Sequence, residues 1–129
     1  MTKIDLPVDK FDIAAAERIV ELGMPEIEPV LDEVLEWMAD LNWPVATVLV
    51  QVFDGMGLEV VPHICEIFKS KDESWKYWMI VEVIPRLSLD AKSALREEIL
   101  RIAEIPTKPE IREGLDVEAR EYLMNEKNS

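Results

Sequence analysis

Carboxylates recur every four residues at Glu28, Asp32, Glu36 and Asp40, so a helix through them sets all four in one row. Such a row has two chemistries open to it: oxygen ligation of a hard divalent cation, or paired-carboxylate hydrolysis. Specific Mg²⁺ and Ca²⁺ sites gather oxygens from a loop or from several helices. A paired-carboxylate hydrolase needs two acids facing each other across a cleft. One helical row supplies neither. His63 and Cys65 are the sole histidine and cysteine. Two residues apart on a helix, they point to different faces, which excludes a Cys-His dyad within the segment. A single thiol and a single imidazole are also too few for structural zinc. His63 therefore reads as a surface residue among carboxylates and Cys65 as a core thiol. Gly55-Met56-Gly57 lacks the further glycine and the lysine of a phosphate loop and reads as a helix stop. No catalytic residue, cofactor or metal is expected.

Trp43, Trp75, Tyr77 and Trp78 accompany Asn42, Lys76 and the acids Asp40 and Asp72. Trp and Tyr bury a large area and keep a polar tip, which suits them to anchor a partner. The structural alternative has the tryptophans wedging helices apart while Asn42, Asp40 and Asp72 cap helix ends, a role worth about 1 kcal/mol. A third reading makes this edge a small-molecule or enzymatic site, with Lys76 beside Tyr77, Trp75 and Asp72 holding an anionic ligand. It lacks a nucleophile and base pair.

The chain of 129 residues carries 27 acidic and 14 basic side chains, a formal charge of −13. That excess repels phosphate backbones and anionic membrane faces, so neither nucleic acid nor membrane is expected as a partner. The charge is concentrated. Between Ile19 and Phe68 there is no Lys or Arg, while acids there include Glu21, Glu26, Asp54, Glu59 and Glu66 besides the row above and Glu33. Like charges spaced i, i+4 cost about 0.2–0.5 kcal/mol per pair. Two readings of that cost remain open, solubility and a docking face for a cationic partner. One cysteine closes no intrachain disulfide, and Met1-Thr2-Lys3-Ile4-Asp5 opens no apolar export signal, so a cytoplasmic location is expected. The uncharged stretch Leu41 to Phe53 is too short and proline-marked to span a bilayer.

The elements that must position these residues read as helices, because apolar residues recur with helical period. Phe11, Ala15, Ile19 and Leu22 form one stripe, closed by Gly23. Ile27, Val30, Leu31, Val34, Leu35, Met38 and Leu41 form a second, entered through Pro25 and Pro29. Asn42 caps a third from Trp43 and Pro44 through Val45, Val48, Leu49, Val52 and Phe53. Val60, Val61, Ile64, Cys65 and Phe68 make a fourth. Ser74 or Asp72 caps a fifth through Tyr77, Ile80, Val81 and Ile84, closed by Pro85. Asp90 caps a sixth through Leu95, Ile99, Ile102 and Ala103, and a short last helix follows from Leu115 to Met124. The rival assignment makes Val45 to Phe53 and Trp78 to Ile84 buried strands, since Val, Ile and aromatics favour sheets.

The segments repeat. Gly23 and Gly55 are 32 residues apart, Pro29 and Pro62 33, and Trp43 and Trp75 32. Helical hairpins over 9–41, 42–71 and 72–105, with a cap over 110–126, give an all-α, HEAT/ARM-like solenoid in one domain. The strings from Pro25 to Pro29 followed by Val30-Leu31, Asp40-Leu41-Asn42-Trp43-Pro44-Val45-Ala46, and Trp75-Lys76-Tyr77-Trp78 resemble the DUF5071 family of small bacterial proteins built from HEAT-like helical repeats. That resemblance covers most of the chain and implies a fold without a reaction. The expected function is a protein-interaction module in which Asp32, Glu33, Glu36, Asp40, Glu59, Glu66 and Asp72 attract a basic protein partner, with Trp43, Trp75, Lys76 and Tyr77 at the anchoring edge. A sharper variant is an immunity factor that neutralises a basic toxin.

Overall fold

Helix α1 (Ile13–Leu22) starts where the Asp12 carboxylate accepts a hydrogen bond from the Ala15 N–H at 3.3 Å. It stops at Gly23, whose φ of 61° lies in the left-handed region open to glycine. The computed structural model describes residues 4–127. Met1, Thr2 and Lys3 of the N-terminal stretch read for an export signal lie outside the described residues.

Seven more helices and no strand follow among the described residues. They are α2 over 28–39, α3 over 44–53, α4 over 58–69, α5 over 73–86, α6 (Leu89–Glu104), α7 (Lys108–Arg112) and α8 (Leu115–Lys127). The strand assignment for the two valine-rich runs is therefore discarded. Pro29 and Pro44 sit in a first turn, where the N–H they lack has no helical partner, and Pro62 opens the α-helical part Val61–Lys69 of α4 after its 3-10 turn Leu58–Val60. None of the described helices is long and apolar enough to cross a membrane.

Helix α5 changes pitch along its length. Glu73–Trp78 is α-helical, Met79–Val83 is a π turn in which the Ile84 N–H donates to the Met79 carbonyl, and Ile84–Arg86 is a 3-10 turn. It therefore runs past Pro85 instead of closing there. A straight α-ladder cannot pass a residue without a donor, and the chain re-forms its bonds as wide and then tight turns.

Helix α1 packs on α3, α4 on α6 and α6 on α8, while α5 lies against the end of α2 and against α8. Leu31, Val34, Leu35 and Met38 of α2, Val45, Leu49 and Phe53 of α3, and Leu95, Ile99 and Ile102 of α6 share one apolar cluster. Burying a side chain of this kind contributes about 1.5–3 kcal/mol relative to leaving it exposed.

Several expected positions are corrected. Phe11 precedes α1, which Asp12 caps, and is 65% exposed, and Leu22 at the last turn faces solvent as well. Asn42 does not cap α3. Pro44 forces the residue before it into extended backbone, so Trp43 takes the cap position without a side-chain bond, and the Asn42 N–H donates to Asp40 at 2.8 Å. Asp90 lies in the first turn of α6, whose cap is Ser88, accepting from the Ala91 N–H at 3.2 Å. The short helix α7 is an additional element between α6 and the last helix.

Candidate functional site

Helical spacing puts Asp32, Leu35 and Glu36 on one side of α2, and His63, Glu66 and Ile67 on one side of α4. These two faces, with Ser70 and Trp75, line a groove of about 270 Å³. Leu35 and Ile67 are its buried apolar members. Trp75 is held from two directions. Asp72 caps α5 by accepting from the Trp75 N–H at 3.0 Å, and the indole Nε1–H donates to the Leu35 carbonyl at 2.9 Å. The ring thereby ties α5 to α2 and borders the groove at once.

Charge at the groove is one-sided, as no Lys or Arg is among its described lining residues. Asp32 meets His63 Nδ1 at 2.5 Å. Glu66 pairs with Lys69 at 3.3 Å, both largely exposed. Such a pair contributes about 0–1 kcal/mol.

The remaining expected residues are not gathered here. Glu33 is exposed on α2 outside the groove lining. Asp40 accepts the Asn42 amide in the turn before α3. Glu59 accepts from the Gly57 N–H at 3.2 Å and lines a separate cavity beside Gly23 and Gly55. Trp43 stacks edge-on to Trp37 at 5.8 Å and Tyr77 to Trp78 at 5.2 Å. The aromatic edge is thus two local pairs plus Trp75, with no ring contact between Trp43 and Trp75 among the described residues.

Lys76 is corrected most. It is 5% exposed and turned inward, with its ammonium 3.4 Å from Glu73 and 3.5 Å from Glu110. An inward ammonium shared by two carboxylates does not serve an anionic ligand at the surface. Glu110, 1% exposed, also takes two hydrogen bonds from Arg101 at 3.1 and 2.6 Å. Burial pushes the Glu110 carboxyl up. The Arg101 hydrogen bonds, the Thr107 N–H at 2.8 Å and the charges of Arg101 and Lys76 outweigh that and bring it down to about 2. Thr107 and Glu110 form a reciprocal capping box at the start of α7. The string Thr107-Lys108-Pro109-Glu110 carries that signal in the sequence.

Cys65 packs against the core, and burial followed by the charge of Glu98 pushes its thiol up. That environment disfavours the thiolate a nucleophile requires. Among the described residues no three His, Cys, Asp or Glu side chains converge as ligands.

Fold and site together define an all-helical domain with an acidic, tryptophan-bordered groove. The family model described as "Domain of unknown function (DUF5071)" matches residues 6–123, nearly the whole chain, and the chain belongs to that family. Among curated proteins none matches the chain.

Proposed function

We propose that this is a non-enzymatic interaction module, acting in the cytoplasm, whose groove between α2 and α4 docks a basic segment of a partner protein. The carrying observation is the convergence of Asp32, Glu36 and Glu66 around the Trp75 indole in a groove with no Lys or Arg among its described lining residues. Glu33, Asp40, Glu59 and Asp72 add to the negative field that steers a cation inward. The underlying architecture is a HEAT-like solenoid of layers α1–α2, α3–α4 and α5–α6, with α7 and α8 as a cap. What supports it is the packing of α1 on α3, α4 on α6 and α6 on α8, together with spacings of 32 and 33 residues. A basic toxin captured by an immunity factor is one partner of the required chemistry.

Calorimetric titration with a Lys- and Arg-rich peptide tests the groove. Binding is expected to weaken steeply with added salt. Asp32→Lys combined with Glu36→Lys is expected to weaken it by about tenfold or more. Reversal of Glu104, an exposed acid at the far end of α6, is the control. Equal losses from both reversals would reduce the effect to net charge and reject a localised docking site.

A further inference from the structure

We infer that a second groove, bounded by α5, α6 and α8, binds a small organic cation with an apolar body, a primary alkylamine being the simplest member. Its volume is about 380 Å³, within the range of roughly 300–1,000 Å³ usual for small-molecule sites. One wall is apolar: Ile80 and Val81 from the π turn of α5, Pro85, and Leu89 at the start of α6. Leu89 is 80% exposed, so covering it is a gain for a ligand with a hydrocarbon body.

The polar members select the sign of the ligand. Glu118 and Glu121 of α8 face the groove with no ion-pair partner among the described residues, while Glu126 is engaged by Arg96 at 3.3 Å. Lys92 is the one cation in the lining among the described residues. Two unpaired carboxylates against a single ammonium leave the groove attractive to cations and repellent to carboxylates or phosphates.

Tyr122 supplies the independent observation. Its ring lines this groove, and its hydroxyl is buried without a hydrogen-bond partner among the described residues. Buried polar atoms are nearly always paired, and leaving one unpaired costs about 1–3 kcal/mol. Burial, then the charge of Glu126, pushes the hydroxyl up to about 12. The phenol therefore stays neutral at physiological pH and keeps both a donor and an acceptor lone pair. A small outward turn of the Tyr122 side chain brings the phenol oxygen to an ammonium N–H seated in the groove, while Glu118 or Glu121 neutralises the charge.

Side-chain NMR of the full chain, titrated separately with hexylammonium, hexanoate and hexanol, tests this. Hexylammonium is expected to give saturable shifts at the Tyr122 ring and at the methyls of Ile80, Val81 and Leu89, and hexanoate none. Tyr122→Phe is expected to weaken hexylammonium about tenfold or more, the worth of one hydrogen bond with a charged donor. Glu118→Gln with Glu121→Gln, two isosteric changes on a half-buried and an exposed side chain, is expected to weaken it about tenfold. The site is overturned if hexylammonium produces no saturable shift or shifts residues elsewhere, or if hexanoate or hexanol binds as tightly. It is overturned equally if both sets of variants bind like the parent.

Discussion

Glu110→Ala is expected to lower the unfolding free energy by about 3–5 kcal/mol, the cost of removing one partner from a buried ion pair. The carboxylate accepts from Arg101, from the Thr107 N–H, and faces Lys76. Without it the Lys76 ammonium, 5% exposed, keeps only Glu73 among the described residues, and α7 loses the carboxylate half of its capping box and its tie to α6. Urea unfolding at neutral pH measures the loss. Glu110→Leu combined with Lys76→Met should recover most of it, because apolar side chains of similar volume often replace a buried pair at little cost. The same network sets an acid limit. Glu110 titrates at about 2 in the folded chain against about 4.3 unfolded. The folded value is the lower, so the stabilisation is complete above the unfolded value and is lost as pH falls through about 4 towards 2. The difference corresponds to about 3 kcal/mol. Glu110→Gln should flatten that part of the stability profile, and parallel profiles for the two proteins would reject the assignment.

That network marks where sequence reading stops. Periodicity exposes the helices because Val34, Leu35 and Met38, or Leu95, Ile99 and Ile102, must meet one core. Gly23 and Asp72 mark ends through local backbone demands. Lys76 offers no such sign: it stands between Trp75 and Tyr77 and looks like surface charge. Its burial is decided by Glu110 and Arg101, which arrive from other helices. The groove is half legible for the same reason. Helical spacing puts Asp32 beside Glu36, and His63 beside Glu66, but their apposition across α2 and α4 is tertiary. Caps slipped by one or two residues where a neighbouring proline or serine had the stronger local claim. Pro44 moved the α3 cap from Asn42 to Trp43, and Ser88 displaced Asp90.

Trp75 separates the structural from the recognition reading of the tryptophans. Trp75→Ala is expected to cost about 3 kcal/mol, the low end for truncating a large aromatic side chain, because the indole is partly exposed. Trp75→Phe keeps most of the packing and removes the bond to the Leu35 carbonyl. It is expected to cost about 1–2 kcal/mol, measured by urea unfolding beside the alanine variant. Near-equal costs would mean that the hydrogen bond, not the ring, joins α5 to α2. The phenylalanine variant, being folded, also isolates the groove. A guanidinium or ammonium over an indole gains more than over a phenyl ring, so a basic peptide seated against Trp75 should bind the variant about fivefold more weakly. A tryptophan that acts solely as a wedge would shift the unfolding curve and leave the peptide's affinity where it was. The carboxylates at Asp32, Glu36 and Glu66 would then have to hold the partner by field alone, and charge reversal there would abolish binding without any contribution from the ring.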